Sequence, residues 1–522
     1  MAKVFPSARH STPKRSPNGS DAERNTGNGY DADDVSEHYR WTTLAIIVIG
    51  TFMVVLDSTI VSVALDPIGR SLHSANNVEW IVTAYLLALG VVQSPIGWLA
   101  DRIGRKPIFV GSMAVFALGS LCTALAPTMP ILIVCRVIQG IGGAAVFPIG
   151  TAITYEVFPV DRRGTALGVR GIALMAAPGI GPVLGGWLVT DFSWRWMFLI
   201  NVPIGIVGTI VAARVLRNTG FHERRPFDWT GTALVGFGVL GLLLALSEGA
   251  EWGWTSARTL GSGIGGVLLL AAFAWWVLSK TRTPVVDLRM LKITIYTLGI
   301  GVSCMLVLAQ YGRLLFIPLE LEALRQFTAL HTGVLLVPGA VGAAISMPIS
   351  GRLADRIGAK IPVVAGLIPV AIANWYLGHL TMTSSQYGLM FFMFLAGLGT
   401  GLAMTPVVVV ALNSLPAALI ATGSTLRSLS RQIAAAVAIA VLTAVVSSQL
   451  KGGITFHGAV SAAHAQAAYN TSIIWGFWAV ILTIIIALFL PGRAKARELQ
   501  QARIAEQRSG KRLSAVNAVD DD

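Results

Sequence analysis

The chain reads as long apolar runs broken by short charged loops. A helix that crosses a bilayer needs about 20 mostly apolar residues, each adding about 1.5 Å of rise. Fourteen stretches meet that demand: 42–65, 80–100, 107–126, 131–153, 165–189, 195–216, 229–248, 260–278, 294–318, 329–350, 361–380, 386–412, 424–447 and 472–491. Numbered spans 1 to 14, they predict an all-α membrane protein. An even number of crossings puts both ends of the chain on one side.

Lysine and arginine choose that side. With the termini in the cytoplasm, the tails and loops there hold 29 of them. The opposite loops hold five: Arg70, Arg195, Arg258, Arg325 and Lys451. Positive residues stay on the cytoplasmic side during insertion, so the bias predicts cytoplasmic termini in the cell (inner or plasma) membrane. Five more, Arg136, Arg170, Arg313, Arg427 and Arg431, fall within or at the edges of spans.

Two of the loops nearly repeat each other. Gly97 to Lys106 reads GWLADRIGRK and Gly351 to Lys360 reads GRLADRIGAK, eight of ten positions alike and 254 residues apart. Each joins two spans on the cytoplasmic side. A duplicated bundle with the same loop in each half is the layout of a secondary transporter made of two pseudo-symmetric halves. The boundaries follow: a disordered N-tail over 1–41, a six-helix bundle over 42–217, a linker with inserted spans 7 and 8 over 218–293, a second six-helix bundle over 294–491, and a C-tail over 492–522.

Composition narrows the function. The chain is 54% hydrophobic and 12% charged, where soluble proteins carry about 25% charged residues. Its net charge of +13 sits in loops and tails, which fits orientation in a bilayer and not a nucleic-acid face. Cys122, Cys135 and Cys304 lie in apolar runs and read as small core residues. No metal-ligand spacing, His cluster or Ser/His/Asp arrangement stands out, so neither an enzyme nor a metal site is expected. No Gly-x4-Gly-Lys-Ser/Thr loop occurs, so no cofactor or ATP-hydrolysing site is implied. The energy must come from a gradient.

Four blocks carry a family resemblance. They are Leu56 to Leu65 (LDSTIVSVAL), Gly97 to Lys106, Arg136 to Ala144 (RVIQGIGGA) and Gly181 to Gly186 (GPVLGG). With them the chain resembles the fourteen-span drug:proton antiporters of the major facilitator superfamily from about 42 to 491. The resemblance implies a multidrug-efflux fold of two six-helix bundles plus two inserted helices. It also implies proton coupling at Asp57 and an antiporter motif of Gly168, Gly181, Pro182, Gly185 and Gly186. A periplasmic adaptor enters as a partner class, since some members of that family work with one; the other partners are protons, small-molecule substrates and the bilayer. The chain departs from the family at Ser62, Asp66 and Ala177, where Asn, Pro and Gly are usual.

Particular residues then acquire roles. A carboxylate inside an apolar helix costs about 2.5–3.5 kcal/mol on insertion scales. The cost falls on the charged form, as a proton carrier requires. By the helical rise, Asp57 and Arg136 lie at similar depth, about 12 and 8 Å from the ends of spans 1 and 4. Arg136 is therefore the expected partner; the plainer reading is a pair that only fixes the bundle. The loop residues Gly97, Asp101, Arg102, Gly104, Arg105 and Lys106, with Gly351, Asp355, Arg356, Gly358 and Lys360, suit a conformational latch. In it Asp101 faces the start of span 13, near Gly423, Ser424 and Arg427, and Asp355 faces the start of span 5, near Gly164 and Thr165. The plainer reading is charge bias alone. The span-5 glycines let a helix of the other half approach closely. Trp80, Tyr85, Gln93, Gln139, Gln310, Tyr311 and Asn374 are candidates to line a substrate cavity. Arg427 and Arg431, one turn apart near the inner end of span 13, fit snorkelling to headgroups, and Glu320 and Glu322 read as solvated loop residues.

The function expected is proton-coupled efflux of amphipathic or cationic small molecules by alternating access. The alternatives are a dedicated exporter of a lipid, siderophore or other metabolite and, further off, a nutrient symporter or a channel or receptor that shows no counterflow.

Overall fold

A computed structural model describes residues 35–492, apart from 62–63, 75–76, 219–225, 282–283, 417–418 and 451–460, together with 494, 498 and 501. Most of both tails and part of the charged linker thus lie outside the described residues. Among the described residues, thirteen helices are long and apolar enough to cross a membrane, and a bent pair, Trp80–Gln93 with Ile96–Ile103, makes a fourteenth if it is one span. That pair is span 2, turned by 53° where Pro95 withholds an N–H from the helix ladder.

The helix edges correct the hydropathy reading in three places. Span 1 runs Glu37–Ile60, so residues 37–41 are helical and not part of a disordered tail. The Ser36 hydroxyl accepts from the Tyr39 amide at 3.3 Å, and Glu37 favours the positive helix start. Beyond Ile60 a separate short helix, Leu65–Ser71, begins. Pro67 sits in its first turn, where a missing N–H costs nothing. Span 14 starts ten residues early, as Ala462–Ala487, with Ser461 as its cap. Its alanines favour helix although His464, Gln466 and Asn470 dilute the apolar signal. Span 9 continues past Leu319 through a π-helical turn, Glu320–Leu324. Glu320 is fully buried there and pairs with Arg325 at 2.9 Å, so it is no solvated loop residue; Glu322 is exposed. Cys135 is buried, but Cys122 is exposed.

The two halves meet along two seams. Span 5 (Val160–Asp191) lies against span 10 (His331–Ile357). A Cβ on Gly168 would come within 2.9 Å of Pro348 Cα, and one on Gly179 within 2.9 Å of Ala340 Cβ. Span 2 lies against span 13 (Ile420–Leu450). There Gln93 Nε2 donates to Ser428 Oγ at 2.8 Å and Gln432 Nε2 to the Leu86 carbonyl at 2.9 Å. Span 7 (Trp229–Trp252) covers this second seam, its Val239 and Leu243 packed with Leu87, Leu426 and Leu429. Span 7 is therefore part of the core and not an appendage.

Candidate proton and substrate site

Span 1 carries Asp57 to the same depth as Arg136 of span 4 (Met129–Val157), and the two pair there. Arg136 Nη1 donates to Asp57 Oδ2 at 2.6 Å, and neither side chain exposes any surface. Gln139, one turn along span 4, donates to Asp57 Oδ1 at 2.7 Å, and Asn201 of span 6 to the same oxygen at 3.1 Å. Ser120 accepts a second bond from Gln139 at 2.7 Å. A carboxylate with three donors is addressed as an anion, and bonds of this kind are the strong ones. The Arg136 guanidinium also lies over the Tyr85 ring, 4.3 Å from its centre. Gln139 and Tyr85 thus serve this pair and do not line the cavity. Asn201 was not singled out in the sequence, since one asparagine near the start of a span gives no period or motif.

Arg136 has a second attachment. Its Nε donates to the Ile81 carbonyl of span 2 at 2.9 Å. Further along the same helix, Leu86, Leu87, Leu89 and Gln93 line a central cavity of about 250 Å³. Span 2 therefore stands between Asp57 and the cavity, and Asp57 does not open onto it in this conformation. The cavity also receives Leu243, Leu246 and Ser247 from span 7, Tyr311 from span 9, and Arg427, Ser428, Arg431 and Gln432 from span 13. Of the expected lining residues, Gln93 and Tyr311 are there, and Gln310 faces a smaller recess shared with Arg427 and Arg431. Asn374 is instead hydrogen-bonded to Arg313 of span 9, and Trp80 packs beside span 7. Arg427 and Arg431 face the cavity, not the headgroups. Their spacing of four residues puts both on one helix face, but which face only the packing decides.

On the side of the duplicated loops the halves are shut. The Gly164 and Thr165 amides, the free first N–H groups of span 5, donate to Asp355 at 2.9 Å each, and the Thr165 hydroxyl adds a third bond at 2.9 Å. This requires backbone contact, because a Cβ on Gly351 would strike the Gly164 carbonyl. In the first-half loop, a Cβ on Gly97 would lie 3.3 Å from Thr422 Cα at the start of span 13. Gly104 and Gly358 end their helices with φ of +107° and +84°, a conformation that favours glycine. Arg105 is buried and bonds Glu156 of span 4 at 3.0 Å and the Ala152 carbonyl at 3.2 Å. Its role is thus within the first half. Arg102 lies over Trp98, 5.2 Å from the ring centre; Arg356 is exposed, and Lys106 and Lys360 are half-buried.

The antiporter-motif glycines divide between two neighbours. Gly168 faces span 10 of the other half. Gly181 and Gly185, a turn apart, face Thr59 and Ile60 of span 1, in their own half. A Cβ on Gly186 would meet nothing within 4 Å. The expectation that all of them seat a helix of the other half is therefore corrected: thirteen residues of helix turn Gly181 well away from the face of Gly168. The side chain of Pro182 lies outside the described residues.

Known proteins place this geometry. A tuberculosis-bacterium relative, the Multidrug resistance protein B homolog of Mycobacterium tuberculosis (strain ATCC 25618 / H37Rv), is 32% identical over 411 residues, covering 78% of this chain and 76% of the relative. The Tetracenomycin C resistance and export protein of Streptomyces glaucescens is 31% identical over 415 residues, covering 78% and 76%. Among solved structures, the proton:xylose symporter XylE bound to 6-bromo-6-deoxy-D-glucose shares the fold with a TM-score of 0.61 at 13% identity, over 89% of this chain and 99% of that one. The family model described as Major Facilitator Superfamily matches residues 47–439. With two helical halves around a central cavity and that match across most of its length, the chain belongs to the Major Facilitator Superfamily, and it is a transporter, not an enzyme.

Proposed function

We propose that this chain exports amphipathic small molecules in exchange for protons, by alternating access of its two halves. The observation that carries this reading is the double attachment of Arg136, to Asp57 on one side and to the Ile81 carbonyl of the cavity-lining span 2 on the other. A proton on Asp57 cancels the charge that holds Arg136. The guanidinium then swings from its carboxylate, and its bond to span 2 carries the change into the cavity wall. Asp355 on the Gly164 and Thr165 amides is the latch that keeps the cytoplasmic side shut until then. Relatives named for multidrug resistance and tetracenomycin export support the outward direction.

The driving force is sufficient. One charge crossing 100 mV releases about 2.3 kcal/mol, and a hundredfold gradient of a neutral solute requires about 2.7 kcal/mol at about 1.4 per factor of ten. A modest pH difference supplies the remainder. The test is substrate-induced proton release from proteoliposomes holding an imposed pH gradient. Asp57→Asn should abolish proton movement. Uphill export by Asp57→Asn that still consumes the gradient would refute the coupling role, and proton flux in the same direction as the substrate would make the protein a symporter.

A further inference from the structure

We propose that the central cavity binds the head of an anionic amphiphile, a carboxylate or phosphate on an apolar body, between Arg427 and Arg431. Buried charges in proteins are paired or hydrogen-bonded, and the other buried arginines of the two bundles obey that rule. Arg105 has Glu156, Arg136 has Asp57, Arg170 has Thr51 and Thr151, and Arg313 has Asn374. Arg163 donates to the Tyr155 carbonyl and Asn413. Arg427 and Arg431 are the departure. Both are half-buried and both line the cavity and its recess. Among the described residues neither has a hydrogen bond or an ion pair, and Arg427 Nε is buried with nothing to donate to.

Two like charges one helical turn apart repel each other, and a low-dielectric wall strengthens the repulsion. An anion between them relieves both at once. The ionisable groups around the pair are Tyr155, Tyr296, Tyr311, Cys304 and a third cation, Arg170, with no carboxylate among them. Among the described residues, no Asp or Glu lines the cavity or the recess. A cationic cargo would enter against two uncompensated guanidinium groups; an anion meets their planar forks, which match carboxylate and phosphate oxygens in pairs. Leu86, Leu89, Leu243 and Leu246 then receive the apolar body.

This inference rests on the exporter reading only for direction. If one proton enters for each monoanion that leaves, two charges move per cycle in the same electrical sense, so an inside-negative potential drives both. A neutral cargo would move one charge and a monocation none.

The experiment uses the full-length protein in zwitterionic nanodiscs and four probes: decanoate, decanol, decyltrimethylammonium and lysophosphatidate. Binding is read by the change in tryptophan fluorescence. Decanoate should bind at least tenfold more tightly than the alcohol or the ammonium of equal chain length. Arg427→Gln and Arg431→Gln should each remove at least tenfold of that preference and leave decanol binding unchanged. Arg431→Lys, which keeps the charge, should retain part of it, separating loss of charge from loss of fold. The tighter of decanoate and lysophosphatidate identifies a soluble acid or a lipid as the source of the head. Equal or tighter binding of the ammonium, or an anion preference untouched in both Gln variants, overturns the proposal. Anion-selective binding without proton flux would leave it standing and fail the exporter reading; proton-driven export confined to cations would do the reverse.

Discussion

The two halves share a scaffold and differ in charge. Each has the Leu-Ala-Asp-Arg-Ile-Gly loop, and each ends its second helix on a glycine with positive φ, Gly104 or Gly358. In the first half, the arginine at the centre meets a carboxylate, Asp57, held by Gln139 and Asn201. In the second half, Arg313 meets the neutral amide of Asn374, and Arg427 and Arg431 face an open cavity. Duplication has kept what folds the bundle and changed its charged partners. One half holds a neutralised buried pair; the other presents positive charge to whatever fills the middle.

Breaking the charged pair should have the largest effect. Arg136→Gln leaves a buried carboxylate without its cation and should cost about 3–5 kcal/mol, with Asp57→Asn in the same range. Either change should reduce proton-coupled transport to background. The double variant should be less destabilised than the two losses added together, because the residues act as a unit. Arg313→Gln faces only an amide and should cost about 1–3 kcal/mol. Thermal unfolding of the purified variants, beside proton flux in liposomes, checks all four. If Arg313→Gln abolishes coupling as completely as Asp57→Asn, the contrast between the halves fails.

The latches come next. Asp355 crosses the seam to three donors of span 5, and Asp355→Asn weakens bonds whose strength comes from charge, each worth about 1.5–3 kcal/mol. Losing even one such bond is about a tenfold shift between conformations, at 1.4 kcal/mol per factor of ten. Met347, buried on span 10 against Gly168 and Gly171 of span 5, reports the opening: a cysteine there, with the native cysteines replaced, should label at least tenfold faster in Asp355→Asn. Gly164→Val should open the same seam by steric force, since a side chain there meets both Gly351 and Asp355. Unchanged labelling in both variants would show that this seam does not hold the closed state.

A smaller effect distinguishes the loops themselves. Arg105 bonds Glu156 inside the first half, while the matching position of the second loop is Ala359. Arg105→Gln should cost about 1–3 kcal/mol, since Glu156 keeps some access to water. It should leave the labelling of position 347 unchanged. Faster labelling there would mean that the two loops act as one latch.

Much of this was legible in the sequence. Fourteen runs gave the spans because a bilayer demands length and apolarity from every crossing. Asp57 and Arg136 could be matched by depth, and Asp355 could be aimed at Gly164 and Thr165 through the repeat. Direction around a helix was harder to read. Gly181 faces span 1 and not the other half, Tyr85 covers Arg136 and not the cavity, and Arg427 and Arg431 look inward. In a helix surrounded by other helices nearly every face is apolar, so the pattern carries little phase. Glu156 and Asn201 are single polar residues with no spacing to mark them. Span 7 gave no sign that it would wall the cavity, because its insertion falls outside the repeat.

The smallest expected effect lies opposite the loops, where span 7 meets span 2. Glu79, at the entrance to span 2, has its carboxyl pushed up from 4.5 to about 7, first by a hydrogen bond with Glu251, then by partial burial and by the charges of Glu251 and Glu248. The carboxylate oxygens of these three residues lie within 4.8 Å of one another. The folded protein therefore keeps a proton that the unfolded chain gives up between about pH 4.5 and 7. Stability from this contact is complete below the lower value and is lost as pH rises through the upper one. Glu79 is exposed, so solvent screens much of the effect, and a fall of a few degrees in Tm between pH 5 and 8 is the scale expected. Glu79→Gln should flatten that fall, because its amide holds the hydrogen bond to Glu251 without needing a proton. Arg313→Gln should leave it unchanged, since that arginine lies in the other half. A pH dependence that survives Glu79→Gln in full would place the titration elsewhere and remove the carboxyl contact as the tie between the inserted helix and span 2.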